Sequence, residues 1–223
     1  MRERIFSQAE MNKIREHLLN QDYSQPADKT ASKIGLLIMA FTGVRPAELQ
    51  VLKPSSIIRT NDNRIKFEIS DSWDDIAKFA NGRTKTGANR ITAALPQKAT
   101  EALETFLKAQ QERLADWHLN LSDPFILLNT QDPRKAQDFL PISQQAMNKM
   151  LKQIVTDLKF SRPNLEIVNY TLRHTFATEL SGLVNGRYEL AAALMGHTTS
   201  TYMQTYLNVQ EDLASEIADN LFS

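Results

Sequence analysis

Apolar residues along this chain recur mostly at helical spacing. "SQAEMNKIREHLL" opens with Ser7 and Glu10 in a capping-box arrangement, which predicts a helix start. Ile34, Leu37, Ile38 and Phe41 form a helical stripe that stops at Gly43. Pro46 is well placed in the first turn of a next short helix, "PAELQVL". From Ile57 to Leu95 the pattern changes. Ile65, Phe67 and Ile69 alternate with polar residues, as in a half-buried strand. "RTKTGANRITAAL" predicts two strand ends around a Thr-Gly-Ala-Asn turn, and "DSWDDIAKFANG" an excursion or a short helix. A long helix follows Pro96, with Leu103, Phe106, Leu107, Leu114 and Trp117 on one side. "DPFILLNTQDPRK" reads as loop with a short extended run. Ser143 then caps a helix carrying Met147, Met150, Leu151, Ile154 and Leu158. Three further helices are expected at roughly 171–183, 187–195 and 199–206, then an amphipathic one carrying Val209, Leu213, Ile217 and Leu221. The expected fold is mainly α with a small antiparallel β-sheet in the first half, one domain over residues 1–223.

Composition narrows the function classes. The chain has 223 residues, enough to bury a substantial core. Lys plus Arg and Asp plus Glu both number 26, so the formal net charge is zero, which argues mildly against a protein devoted to polyanions but leaves room for a local basic site. There is no cysteine, which removes disulfides, thiolate nucleophiles and cysteine metal sites. The N-terminus is charged and amphipathic, with neither a signal-peptide pattern nor a membrane-length apolar run.

Several polar residues are not needed by the scaffold. In "YTLRHTFATEL", Leu172, Phe176 and Leu180 point to a core, leaving Tyr170 and Arg173 at the mouth of the helix. In "TGVRPAEL", Arg45 sits between a helix-ending glycine and a helix-starting proline. In "LMGHTTSTYMQTYLN", Gly196 ends a helix, His197 follows, and Tyr206 comes nine residues later. Lys85 lies near the tip of the expected hairpin. Arginines clamp a phosphate through paired donors and stay charged. A phenol can attack phosphorus if the developing charge is stabilised, and a lysine can protonate a leaving alkoxide.

In this order, the segments resemble the catalytic domain of tyrosine recombinases, the phage-integrase family of DNA breaking and rejoining enzymes. "TGVRPAEL" matches the family's Thr-Gly-x-Arg-x-x-Glu segment through Arg45 and Glu48. "TKTGANR" matches its hairpin lysine at Lys85. "YTLRHTFA" matches His-x-x-Arg at Arg173, with Tyr170 where the family usually has histidine. "LMGH" supplies His197, and the spacing after it selects Tyr206. The match runs from near Ser7 to about Val209.

The resemblance implies a site of Arg45, Lys85, Tyr170, Arg173, His197 and Tyr206, with no metal or other cofactor. It implies duplex DNA as partner, cleavage through a 3′-phosphotyrosyl intermediate, a tetramer on DNA, accessory DNA-bending proteins, and a cytoplasmic, bacterial or phage-encoded protein. The family's N-terminal DNA-clamping domain is expected to be absent here, and residues 208–223 to dock on a neighbouring protomer. A non-catalytic DNA-binding relic and a type IB topoisomerase are the alternatives. Each residue also has a structural role open to it. Arg45 and Arg173 could cap a helix C-terminus or pair with Glu48 or Glu179. His197 could be a loop residue, and Lys85 a solvated turn lysine with Lys66 and Lys78 as rivals. Tyr188 and Tyr202 are phenols too. His174 is expected to be structural, and His17 and His118 carry no signal.

Overall fold

Ser7 starts the first helix as its pattern predicts. The Ser7 hydroxyl accepts from the Glu10 N–H, and the Glu10 carboxylate accepts from the Ser7 N–H at 2.8 Å. This helix, α1 (Gln8–Leu19), buries Met11, Ile14 and Leu18. The computed structural model describes residues 5–25, 29–160 and 167–206. The amphipathic stripe Val209–Leu221 expected at the C-terminus lies outside them.

Helix α2 (Thr30–Thr42) is buried along almost its whole length and packs against α1, α4 (Gln97–Asp116), α6 (Gln144–Asp157) and α7 (Asn169–Leu183). Its hydrophobicity on every side is what a central helix requires. It stops at Gly43, whose φ of +62° is left-handed. A Cβ there would stand 2.4 Å from Phe176 Cδ1, so the site demands glycine for space as well as for conformation. Three residues later Pro46 opens α3 (Pro46–Gln50).

The sheet follows. Strands β1 (Ile57–Arg59), β2 (Ile65–Ile69) and β5 (Arg90–Ile91) pair antiparallel in the order β1-β2-β5, with Ile57 opposite Phe67 and Ile69 opposite Arg90. Ile65, Phe67 and Ile69 turn to the core, as their alternation predicts. One expectation is resolved and one needs correction. Of the two forms expected for "DSWDDIAKFANG", the excursion is found: a hairpin of two short strands, β3 (Trp73–Asp74) and β4 (Phe79–Ala80), and not the short helix. The Asp74 carboxylate accepts from the Ile76 and Ala77 N–H groups at 2.8 Å each, and Lys78 takes a left-handed φ of 59°. These local bonds turn the chain before a helix can start. The Thr-Gly-Ala-Asn turn has a strand only on its far side, because the Thr84 hydroxyl donates to the Ala88 carbonyl and folds residues 84–88 into a loop.

A short helix the sequence pattern did not predict, α5 (Pro133–Gln137), is capped by Asp132. The chain ends its described part with α7, α8 (Tyr188–Met195) and α9 (Thr199–Tyr206), within two residues of expectation. Leu172 joins the main core. Phe176 and Leu180 instead pack on a second, smaller cluster of Ala177, Val184, Ala191, Ala192, Met195, Tyr202 and Tyr206. The architecture is mainly helical with small antiparallel sheets. Among the described residues no helix is long and apolar enough to cross a membrane.

Candidate active site

The turn that ends α8 organises the site. Its last three carbonyls each receive a different arginine: Leu194 O from Arg90 Nε at 3.1 Å, Met195 O from Arg173 at 2.6 Å, and Gly196 O from Arg45 at 2.9 Å. A helix C-terminus carries unsatisfied carbonyls and partial negative charge, so cations collect there. Arg45 and Arg173 lie 128 positions apart in sequence, yet both reach this one turn. Arg173 also donates to the Gly43 carbonyl, just before Arg45. The left-handed glycines at 43 and 196 let both chains turn this tightly.

One carboxylate holds the cluster together. Glu48, 1% exposed, accepts from Arg45 at 2.8 Å and from both terminal nitrogens of Arg90. Burial alone would push its carboxyl up, but the hydrogen bonds and charge of Arg90, then of Arg45, outweigh that and hold it below its ordinary value. Three guanidiniums against one carboxylate leave the pocket cationic within a neutral protein. Burial, and then the charge of Arg45, lowers Arg173 to about 10, so it stays protonated at neutral pH.

His197 lies against Arg173, with Nε2 at 3.1 Å from a guanidinium nitrogen. A guanidinium can only donate, so Nε2 accepts and Nδ1 carries the proton. That Nδ1 is buried and has no hydrogen-bond partner among the described residues. Burial, and the neighbouring charges of Arg173, Arg45 and Arg90, lower the imidazole to about 4, so it is neutral near pH 7. The Tyr206 ring stacks on His197 at 9° with centroids 6.0 Å apart, and its hydroxyl lies 3.4 Å from His174 Nδ1. Tyr206 is 2% exposed. Burial raises its phenol, against the opposing pull of Arg173 and Arg45.

Arg45, Lys85 and Tyr170 line an open cleft of about 600 Å³ in front of this buried cluster, with Trp73, Asn81 and Thr84 on its walls. Lys85 is exposed and makes no ion pair among the described residues. Tyr170 is 40% exposed, with its ring centroid 6.4 Å from that of His174.

Named contacts thus link Arg45, Arg173, His197 and Tyr206. Lys85 and Tyr170 join them by sharing the cleft with Arg45. Of the structural roles open to the arginines, the Arg45–Glu48 pair forms, whereas Glu179 binds Arg15 at 2.6 Å. Tyr202 donates to the Ala177 carbonyl at 2.7 Å inside the second cluster, which fits the packing role expected of it. Sequence reasoning missed one residue of the cluster. Arg90 sits in a strand of otherwise ordinary pattern, where a buried cation facing Glu48 leaves no local signature. His174, expected to be structural, lies with Nδ1 3.4 Å from the Tyr206 hydroxyl. Among the described residues no three ligating side chains gather into a metal-sized cluster.

A cationic pocket with an unpartnered buried N–H and a phenol beside it is suited to holding an anionic ester against an oxygen nucleophile. The fold is of the tyrosine recombinase catalytic-domain class. XerH site-specific recombinase, solved bound to palindromic difH substrate in a post-cleavage complex, matches with a TM-score of 0.70 and 18% identity, over 98% of this chain and 53% of that one. The Tn1549 transposon integrase in complex with transposon right end DNA matches with a TM-score of 0.63 and 14% identity, over 98% and 66%. XerA recombinase matches with a TM-score of 0.60 and 17% identity, over 95% and 64%. The chain spans about half the length of the XerH chains it matches. No curated protein matches the sequence. The family model described as "Phage integrase family" matches residues 4–212, and the chain belongs to that family.

Proposed function

We propose that the protein is an integrase-type site-specific recombinase that cleaves and rejoins duplex DNA. One observation carries this reading: Arg45, Arg173 and the unpartnered His197 Nδ1–H converge on one turn, with the Tyr206 phenol stacked against it. Family membership supports it, as do the DNA-bound states of XerH and the Tn1549 integrase.

In this mechanism a scissile phosphate lies between Arg45 and Arg173, with a hydrogen bond from His197. Tyr206 Oη bonds to phosphorus as the P–O5′ bond breaks. Lys85, at the cleft, gives its proton to the departing 5′-oxygen, and Tyr170 donates to a phosphate oxygen. A 5′-hydroxyl then attacks the phosphotyrosine and frees Tyr206. The phosphoester energy is conserved, so neither a nucleotide nor a metal is required. Catalysis is positioning and charge stabilisation. Family-like action would use a tetramer on two duplexes, assisted by DNA-bending proteins, in a bacterial or phage setting.

The test is a suicide duplex nicked near the cleavage point. The expected result is a covalent protein–DNA adduct with the native chain and none with Tyr206→Phe. DNA binding without any adduct on the cognate site would instead indicate a non-catalytic relic, a reading motivated by Tyr170 standing in the histidine position and by the zero net charge.

A further inference from the structure

A carboxylate is an awkward neighbour for the chemistry proposed above. Glu48 lines the same cleft as Arg45, Lys85 and Tyr170, where the scissile phosphate is to lie. A bare carboxylate there would repel the phosphate and compete with it for Arg45. Glu48 stands three residues after Arg45 at the start of α3, so the two side chains are neighbours by local geometry alone. Glu48 Oε2 also accepts from the Arg45 backbone N–H at 3.0 Å. Left to themselves, a guanidinium and a carboxylate this close favour two parallel N–H···O bonds. Such a pair is neutral, and it holds the arginine fork on the carboxylate in place of a phosphate.

The observed bonding is divided differently. Arg90 comes from β5 and is not part of the cleft wall. Its two terminal nitrogens take one Glu48 oxygen each, Nη1 on Oε1 at 2.9 Å and Nη2 on Oε2. Its Nε donates to Leu194 O at 3.1 Å, which fixes the guanidinium against the α8 turn. The paired bond open to Arg45 is therefore made by Arg90. Arg45 gives Glu48 a single side-chain bond, from Nη1 at 2.8 Å, and turns Nη2 to Gly196 O at 2.9 Å. Burial pushes the Glu48 carboxyl up, and the hydrogen bond and charge of Arg90 pull it down ahead of those of Arg45. Arg45, Arg90 and Glu48 together carry one net positive charge, whereas Arg45 and Glu48 alone carry none.

We propose that Arg90 is a positioning residue for DNA cleavage: it occupies the Glu48 carboxylate, so that Arg45 keeps its charge and its remaining donors for the phosphate. The inference rests on the recombinase reading above. Arg90 acts through Glu48 and touches neither the phosphate nor the nucleophile.

The test uses the full chain, with single-turnover adduct formation on the nicked duplex and duplex affinity measured separately. Arg90→Met is expected to slow adduct formation about a hundredfold, as loss of one aligned charge donor does, while duplex affinity changes by less than about tenfold because the rest of the phosphate contacts remain. Adding Glu48→Gln to Arg90→Met removes the competing negative charge. The double variant is expected to recover at least about tenfold of the lost rate, a coupling between neighbours that a double-mutant cycle measures directly. A merely structural Arg90 would leave the double variant as slow as Arg90→Met or slower, and that result overturns the inference. An unslowed Arg90→Met overturns it as well. If Arg90→Met fails to fold, Arg90→Gln, which keeps a donor for Leu194 O, carries the same comparison with and without Glu48→Gln. Absence of adduct with the native chain would refute the recombinase reading itself, a distinct failure.

Discussion

Glu48 is a residue whose removal would be felt in both stability and chemistry. It is a fully enclosed carboxylate between two guanidiniums. Deleting one member of a buried ionic group leaves uncompensated charge, so Glu48→Ala is expected to lower unfolding free energy by about 3–5 kcal/mol in chemical denaturation. Its acid dependence has a definite sign. Glu48 binds a proton less readily folded than unfolded, so its contribution is present above its ordinary value of 4.5 and is lost as pH falls through the lower folded value. His197 acts in a higher window. Unfolded, it takes a proton near 6.5; folded, only near 4, so stability falls as pH drops between those values. Thermal melts across that range should show the decline, and His197→Gln should flatten it. At this scale the functional and structural readings of Arg45 and Arg173 proved compatible. Each caps the end of α8, as a helix-terminal arginine should, and by doing so each reaches the anion pocket. The order of motifs was enough to find them. Arg90 could not be found this way, because its partner Glu48 is 42 residues distant and nothing near it in sequence marks the burial.

Among the elements, the two left-handed glycines separate stability from activity. Gly43→Ala would drive a Cβ to 2.4 Å from Phe176 in a conformation costly for any L side chain, and should destabilise by about 2 kcal/mol or more. At Gly196 the obstacle is the head of Arg90, 2.9–3.0 Å from the added carbon, which can yield by leaving Glu48. Gly196→Ala should therefore cost about 1–2 kcal/mol in stability but slow adduct formation about a hundredfold by misplacing the charge cluster. Denaturation and single-turnover cleavage, measured on both variants, would separate the effects. Helices were legible because their caps are local: Ser7, Ser143, Gly43 and Gly196 all act where the pattern puts them. The β3–β4 hairpin was legible only as one of two alternatives, since "DDIAKFA" has helical composition and side-chain bonds, those of Asp74 among them, divert it. Helix α5 is too short to show a period.

For the whole molecule, the division of the apolar core matters most. Helix α2 is set in the main cluster, whereas α9, with Tyr206, is held by a smaller one. Elements with fewer buried contacts open at lower free energy. Amide hydrogen exchange should accordingly be faster in α9 than in α2, with cognate DNA slowing α9 selectively; equal protection of both helices would contradict this. A neutral chain can still carry a cationic pocket, because three guanidiniums gather at the α8 turn around one carboxylate, which two of them bind. Net charge could not reveal that arrangement, whereas motif order did. The α8 turn has a last consequence. Its three successive peptide groups set where Arg90, Arg173 and Arg45 stand, so the spacing of the cations is inherited from one short run of backbone. Drift in the distant helices can carry that turn bodily from place to place, but covalent geometry keeps its three cations in step.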